Sequence, residues 1–290
     1  MSFYARIRPY AMVAPSVLIF LFFFIYPIFY MIYLSMHKWN FISPDKTFVG
    51  TDNFKDLFSD SEFLQVIRNT FSYTLFTVSL TIALALLIAL WVNRQGRLYS
   101  IMQGLIFSPH IISLVSVSML WMWLMDPQYG LLNWLLGSIG LPELQWLGDP
   151  KTSLFSLVIV AVWKSVGFNT LVFIAGLQSI SSQIYEAAAL DDASRWRTFY
   201  RLTLPMLSPT LFFLIITNLI GSFQVFETIA IMTGGGPVNS TSTLVFYIYE
   251  YGFRFFKIGY ASSAGAILLI VVGLLTILYF KLLSRKVHYR

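Results

Sequence analysis

The chain has 290 residues, of which 57% are hydrophobic, 18% are aromatic and only 11% are charged, and its formal net charge is +6. Soluble globular domains carry about 25% charged residues, so this composition excludes an ordinary soluble protein. The chain has no cysteine, which excludes disulfide bonds and thiolate chemistry.

Six apolar segments each reach the roughly 20 residues that a helix needs to cross the hydrocarbon core of a bilayer. Their limits are 11–36, 71–92, 101–125, 154–176, 208–232 and 260–280. The segments are continuously apolar and lack the alternation that is typical of membrane β-strands. The predicted fold class is therefore an all-α integral membrane protein with six transmembrane helices.

The segments between the spans divide the chain into three predicted parts. Residues 1–70 hold the first span, in which Pro27 predicts a kink, and a small excursion on the outer side. Residues 71–280 form the main transmembrane domain, with a polar loop at 178–207, and residues 281–290 form a tail. The stretch 128–150 is too short and too broken to cross the bilayer, so we predict a short helix at the outer interface.

The distribution of Lys and Arg predicts the orientation of the chain. Eleven of the 19 lie on one side of the predicted bilayer, namely Arg6, Arg8, Arg94, Arg97, Arg195, Arg197, Arg201, Lys281, Arg285, Lys286 and Arg290. The other side has fewer, and these are mixed with acidic residues. Because cytoplasmic loops carry an excess of Lys and Arg, we predict that both termini and the loop 178–207 are cytoplasmic.

The polar loop predicts a helix, a bend and a second helix. The run 187–190 consists of strong helix formers. The short polar side chains of Asp191 and Asp192 tolerate the left-handed conformation that ends a helix. A second helix follows from Ser194, and Pro205 should end it because proline has no backbone donor.

The same loop contains a motif. Glu186-Ala187-Ala188, a gap of three residues, Asp192, a gap of nine residues and Leu202-Thr203-Leu204-Pro205 resemble the EAA loop of the membrane subunits of binding-protein-dependent ABC importers. That family usually has glycine where this chain has Asp192. The resemblance implies a type I ABC importer permease fold in the bacterial cell membrane, most similar to the carbohydrate and glycerol-3-phosphate class.

The resemblance also implies partners. They are a second, related permease subunit, two ATPase subunits, an extracytoplasmic solute-binding protein and membrane lipid, whereas no nucleic acid is expected. The sequence has no phosphate-binding GxxxxGK[ST] loop, so ATP and Mg are expected on the partner subunits and no catalytic or metal site on this chain.

In this family the EAA loop contacts the ATPase, so the resemblance predicts a set of coupling residues. Small alanines let a helix lie close in a partner's groove, and flanking aliphatic side chains can anchor it. The surface that meets the ATPase is expected to comprise Ile184, Ala187, Ala188, Ala189 and Leu190. The complete set adds Glu186, Asp191, Asp192, Leu204 and Pro205. A solvated linker is the alternative interpretation.

The fifth apolar segment predicts a substrate path. Its polar and aromatic residues suit the hydroxyl rims and C–H faces of a sugar, and Asn218, Ser222 and Phe226 are spaced to share one helical face. The predicted path comprises Asn218, Ser222, Phe223, Gln224, Phe226 and Glu227, together with Lys164 of the fourth segment. Lys164 and Glu227 are ionisable residues inside apolar spans, and they can pair. Polar contacts between helices are the alternative for the whole set.

The predicted function is the permease subunit of an ATP-driven importer for a sugar or related polyol-type solute. The alternatives are a secondary transporter or channel for small solutes, and a membrane-embedded enzyme. A secondary transporter would more often show repeated halves and several intramembrane ionisable groups. An enzyme would need clustered acids, bases or metal ligands, and the sequence shows no such cluster.

Overall fold

The structure is a computed structural model that describes residues 3–283, with side chains described from Pro9 to Lys281. The predictions for the side chains of Arg6 and Arg8, and for the tail beyond Leu283, lie outside this description. Contacts divide the chain into two compact units. The first comprises the residues up to Phe63 with Tyr247–Ile270, and the second comprises Leu64–Phe246 with the residues from Val271 onward.

The elements before the main transmembrane domain form the predicted first span and outer excursion. They are α1 (Phe3–Phe20), a π-helical turn (Leu21–Ile25), α2 (Tyr26–Ser35), β1 (His37–Lys38), β2 (Thr47–Phe48) and α3 (Asp52–Ser59). The two strands pair antiparallel, with His37 opposite Phe48. Asn53 Nδ2 donates to the carbonyl oxygens of Ser35 at 2.8 Å and His37 at 3.1 Å, which fastens the excursion to the end of α2.

The remaining elements are helical. They are α4 (Ser61–Val92), α5 (Arg97–Ile111), α6 (Leu114–Leu124), α7 (Leu131–Ser138), α8 (Ser153–Gln178), α9 (Ser182–Leu190), α10 (Arg195–Thr198), a π-helical turn (Phe199–Thr203), α11 (Leu204–Met206), α12 (Ser208–Phe223), α13 (Glu227–Met232), α14 (Leu244–Tyr249), a π-helical turn (Glu250–Arg254) and α15 (Ile258–Leu283). The short helix predicted within 128–150 is α7.

The helices that can span a membrane are of two kinds. Four are continuous, namely Pro9–Ser35, Ser61–Val92, Ser153–Gln178 and Ile258–Lys281. Two further spans are found only if bent pairs are counted, because α5 and α6 meet at 98° and the α10–α11 segment meets α12 at 64°. The prediction of an all-α membrane protein is confirmed. Within the predicted spans, the segment 101–125 bends between α5 and α6, and the segment 208–232 is divided between α12 and α13.

The core of the second unit forms where α4, α8 and α12 meet. Its buried side chains are Ala85, Ala89, Phe173, Ile174, Leu177, Ile180, Leu207 and Leu214. The two alanines of α4 leave room for the larger side chains of α8, and close van der Waals packing stabilises helices against one another in a bilayer.

A single glycine sets the distance between α5 and α8. A Cβ atom added at Gly167 would lie 2.7 Å from the carbonyl carbon of Ile106 and 2.9 Å from Cα of Phe107, and it would also overlap the Ile106 oxygen. These neighbours are backbone atoms, so no side chain can move aside. The two helices pack in backbone contact because residue 167 has no side chain.

Candidate functional site

The EAA loop begins with α9, which ends at a defined cap. The N–H of Asp192 donates to the Ala189 oxygen at 3.2 Å, and the N–H of Ala193 donates to the Ala188 oxygen at 3.0 Å. Asp192 has φ = 49°, the left-handed conformation that this type of cap requires. The predicted bend at Asp192 is confirmed, and an aspartate occupies a position that favours glycine.

This geometry predicts the effect of Asp192→Gly. Glycine adopts a positive φ without the steric penalty of a side chain, so the variant is expected to stabilise the permease by about 0.5–1 kcal/mol. The measurement is the thermal unfolding midpoint of the purified complex, with transport expected to stay intact. Asp192→Ala is the matched control and should lower the midpoint. A midpoint that falls in the glycine variant would show that the carboxylate makes a stabilising contact of its own.

The second helix of the loop runs further than the sequence predicts. Ser194 Oγ accepts from the N–H of Arg197 at 3.4 Å and caps the start of α10. The chain then stays helical through Pro205 to Met206. The π-helical turn Phe199–Thr203 ends two residues before Pro205, and in it the N–H of Leu204 donates to the Phe199 oxygen. The helix therefore accommodates the proline and changes direction at Leu207, which precedes α12.

The predicted contact surface of α9 is partly wrong. Ala188 is only 7% exposed, and Ile184 packs against the core of the second unit. These two residues are four apart and share a face, which is turned to the chain's own interior. The opposite face is free: Leu190 is 87% exposed, and the remaining exposed predicted coupling residues are Glu186, Ala187, Ala189, Asp191 and Asp192, while Leu204 and Pro205 are half-buried.

Two exposed aromatic residues of the loop were absent from the predicted set. Trp196 is 70% exposed and Tyr200 is 58% exposed, and their rings stack at 5.7 Å between centroids. Large exposed aromatic side chains on a short polar loop are typical of interaction sites. Their spacing of four residues was the signal in the sequence, since such pairs meet on a helix surface.

A cavity of about 300 Å³ lies in the second unit. Tyr73 and Thr77 of α4, Lys164 and Asn169 of α8, Asn218 and Ser222 of α12, and Gln224, Glu227 and Thr228 contribute to its lining. Five of the seven predicted path residues therefore line one cavity. Tyr73, Thr77, Asn169 and Thr228 were not predicted.

The predicted stripe along the fifth segment does not extend past Phe223. The helix α12 ends there, Phe226 has φ = −140°, and Glu227 begins α13. Phe223 is buried and contacts the ring of Phe71 edge-on at 5.4 Å. Phe226 stacks on Phe246 at 6.3 Å. These two phenylalanines do not line the cavity.

Some of the polar lining is satisfied within the chain. Asn218 Nδ2 donates to Asn169 Oδ1 at 2.6 Å and to the Leu214 oxygen at 2.7 Å. Ser222 Oγ donates to the Leu219 oxygen at 2.9 Å. For Asn218 the alternative of polar contact between helices therefore holds. Gln224 and Glu227, in contrast, are exposed.

Lys164 caps a broken helix. Its Nζ donates to the carbonyl oxygens of Pro109 and His110, each at 3.0 Å, and of Ile112 at 2.6 Å. These carbonyls lie at the C-terminus of α5, where four carbonyls lack helical partners and a cation is favoured. An ammonium has three protons, so all of them are used. Among the described residues the ion pairs are Lys55–Asp52 and Arg254–Glu250, so Lys164 does not pair with Glu227.

A row of buried threonines runs along α4, and one of them, Thr77, lines the cavity. Thr70, Thr74, Thr77 and Thr81 are buried on an otherwise apolar helix, and their spacing of three and four residues was a signal in the sequence. The hydroxyls of Thr74 and Thr81 have no hydrogen-bond partner in the described part of the chain. No group of three His, Asp or Glu side chains within that part is placed to hold a metal ion.

Comparisons with known proteins agree with this geometry. The family described as "Binding-protein-dependent transport system inner membrane component" matches residues 81–289. A probable ABC transporter permease protein of Bacillus subtilis, YurN, is 34% identical over 95% of this chain and 96% of its own length. An sn-glycerol-3-phosphate transport system permease protein of Pectobacterium atrosepticum, UgpA, is 35% identical over 97% and 96%.

Solved structures show the same similarity. A chain of a bacterial alginate ABC transporter, crystallised with a periplasmic protein that holds an alginate pentasaccharide, superposes with a TM-score of 0.85 at 26% identity and covers 98% of this chain and 97% of that one. A chain of a bacterial ABC transporter that imports the acidic polysaccharide alginate gives a TM-score of 0.83 at 28% identity over 97% of each chain. The chain belongs to the family of binding-protein-dependent inner membrane components and is a multi-pass permease subunit of an ABC importer, not an enzyme.

Proposed function

We propose that this chain forms part of the path for a sugar or polyol-type solute that an extracytoplasmic binding protein delivers. A second, related permease subunit completes the path, and two ATPase subunits bind ATP and Mg and drive the cycle. The loop 178–207 transmits their movement. Lys and Arg on the same predicted side support a cytoplasmic location for this loop and for both termini. The predicted domain limits, 1–70, 71–280 and 281–290, belong to this proposal.

The shape of the EAA loop is the observation that carries the proposal. The capped helix α9 projects Leu190, and the following helix projects the stacked pair of Trp196 and Tyr200. Exposure of these three large side chains to water is unfavourable, and a partner that covers their apolar surface relieves this cost. Burial of one leucine in an interface is worth about 1.5–3 kcal/mol. A groove of the ATPase that receives an apolar helix end fits this surface.

The cavity supports the second half of the proposal. Donors and acceptors from α4 and from the segment after α12 surround a space of about 300 Å³, which is at the lower end for small-molecule sites. Tyr73 and Phe168 supply aromatic faces beside them. Such a mixture suits the hydroxyl groups and C–H faces of a small sugar or polyol.

The coupling role predicts the effect of Leu190→Asp. A charged residue in an apolar groove should weaken the contact with the ATPase by more than about 2 kcal/mol, so both uptake and binding-protein-stimulated ATP hydrolysis are expected to fall more than about tenfold. Because Leu190 is 87% exposed in this chain, the amount of permease in the membrane should not change. Copurification of the ATPase measures the contact directly.

The matched control is Leu141→Asp. Leu141 is 51% exposed and lies in the segment after α7, on the predicted outer side, so the same substitution should leave ATP hydrolysis unchanged. Normal uptake by Leu190→Asp, with the ATPase still copurifying, would remove this surface from the coupling contact.

A further inference from the structure

We propose that the cavity selects against negative charge, and that the transported solute is an uncharged polyhydroxy compound and not a phosphate ester or a uronate. This inference rests on the proposed function, because it assumes that the cavity lies on the translocation path. It concerns charge, which the shape of the cavity alone does not decide.

The cavity has one lysine or arginine among its lining residues, and the end of a helix partly offsets the charge of that cation. Lys164 directs its three protons to three carbonyl oxygens at 2.6–3.0 Å. The end of a helix carries about half a negative charge, which faces this ammonium. A phosphate or carboxylate would have to displace those carbonyls to reach Lys164, and that would leave the end of α5 without its cap.

No cation or hydrogen-bond donor among the described residues offsets the charge of the Glu227 carboxylate. Glu227 is an exposed lining residue that has neither an ion-pair partner nor a side-chain hydrogen bond within the described part of the chain. His110, the other titratable lining residue near Lys164, stacks flat on Phe168 at 4.9 Å. Glu227 therefore carries the less compensated of the two opposite charges in the lining, and low-dielectric walls focus its field, which repels anions.

The free polar groups of the lining are uncharged. Gln224 is exposed to the cavity, and the hydroxyl-bearing Thr77 belongs to its lining. An amide and a hydroxyl both donate and accept, which matches the hydroxyl groups of a polyol. The solutes in the names of two similar proteins, glycerol-3-phosphate and alginate, are in contrast anionic.

A single cysteine can measure this field without knowledge of the solute. The chain contains no cysteine, so Gly221→Cys would carry its only thiol. Gly221 lines the cavity, and a Cβ atom added there meets nothing within 4 Å. Gly137→Cys is the matched control, because Gly137 also lies in a helix and in open space but does not line the cavity.

The experiment compares the rates at which an anionic and a cationic methanethiosulfonate reagent modify each thiol. The assembled importer is used at low ionic strength and about pH 8, where an imidazole is neutral. Intact-mass measurement of this chain gives the rates, both at rest and with ATP hydrolysis arrested. After division by the ratio at Gly137→Cys, the cationic reagent is expected to modify Gly221→Cys at least about tenfold faster than the anionic one.

Adding Glu227→Gln to the Gly221→Cys chain should bring that ratio close to one. Equal rates, or a preference for the anion, in the single-cysteine chain would overturn the charge inference and leave the path in place. A ratio unaffected by Glu227→Gln would also overturn it. A thiol that neither reagent reaches in either state would count against the path itself, and so against the proposed function. Efficient uptake of glycerol-3-phosphate or a uronide by the intact importer would overturn the inference whatever the thiol rates.

Discussion

Replacement of Gly167 by alanine should strongly destabilise the permease. The new Cβ would overlap the backbone of Ile106 and Phe107, so α5 and α8 would have to separate. Overpacking of this kind costs typically about 1–3 kcal/mol, and rigid backbone neighbours place this site at the upper end of that range. The measurement is the thermal unfolding midpoint of the detergent-solubilised complex, together with its yield from membranes.

Gly104→Ala is the matched control for Gly167→Ala. Gly104 lies in α5 itself, and a Cβ atom there meets nothing within 4 Å. Alanine is also the better helix former, by about 0.8–1 kcal/mol, so this variant should be neutral or slightly stabilised. Equal midpoints for the two variants would show that α5 and α8 are not in backbone contact.

Replacement of Lys164 by methionine should uncouple α5 from α8. Methionine keeps an unbranched side chain that is one atom shorter and has no donor, so the oxygens of Pro109, His110 and Ile112 lose their hydrogen bonds. An unsatisfied buried carbonyl costs about 1–3 kcal/mol, and partial access to water reduces the total, so we expect a loss of roughly 2–5 kcal/mol. The fall in the unfolding midpoint and the loss of uptake should occur together.

Glu227→Gln is the control for Lys164→Met, because it removes the other charge of the cavity. Its carboxylate has no partner among the described residues, so the unfolding midpoint should stay at the wild-type value. A Lys164→Met permease with wild-type stability but no uptake would contradict the capping role. Lys164 would then act on the solute itself.

The sequence predicts the EAA loop well because its signals are local. A run of helix formers, a residue that tolerates positive φ, and a serine that caps the next helix lie within a few residues of one another. Asp192 with φ = 49° confirms the bend. Burial was not predictable in the same way, because Ala187, Ala188 and Ala189 are alike in sequence. Only the packing of α9 on the core decides that Ala188 is inside.

The break in the third span was beyond prediction for a different reason. Hydropathy presents the segment 101–125 as one apolar run. The bend after Ile111 is stabilised by Lys164, which lies more than 50 residues along the chain. A hydropathy profile cannot show that a side chain of α8 caps the end of α5. The fifth segment did contain a signal, since Glu227 is the kind of residue that favours the first turn of a new helix.

The start of α4 was predicted too far along the chain because its first turns contain polar residues. The helix begins at Ser61, ten residues before the predicted limit at 71. The predicted limit falls too late because Glu62 and Arg68 lower the local hydropathy. The N–H of Glu62 donates to Asp60 Oδ1 at 2.9 Å, which was a readable cap. The contribution of α4 to the cavity was not predicted, since its threonines interrupt a hydrophobic run without changing its average.

The π-helical turn Phe199–Thr203 sets the phase between two surfaces of one helix. Tyr200 and Leu207 are two turns apart and would share a face in a regular α-helix, yet Tyr200 is 58% exposed and Leu207 is fully buried. The extra residue of the turn supplies the difference, since each residue of a helix advances it by about 100°. This rotation about the helix axis lets the aromatic pair of Trp196 and Tyr200 face outward while Leu207 stays in the core. A one-residue deletion here would rotate one surface against the other, which no substitution within the turn can do.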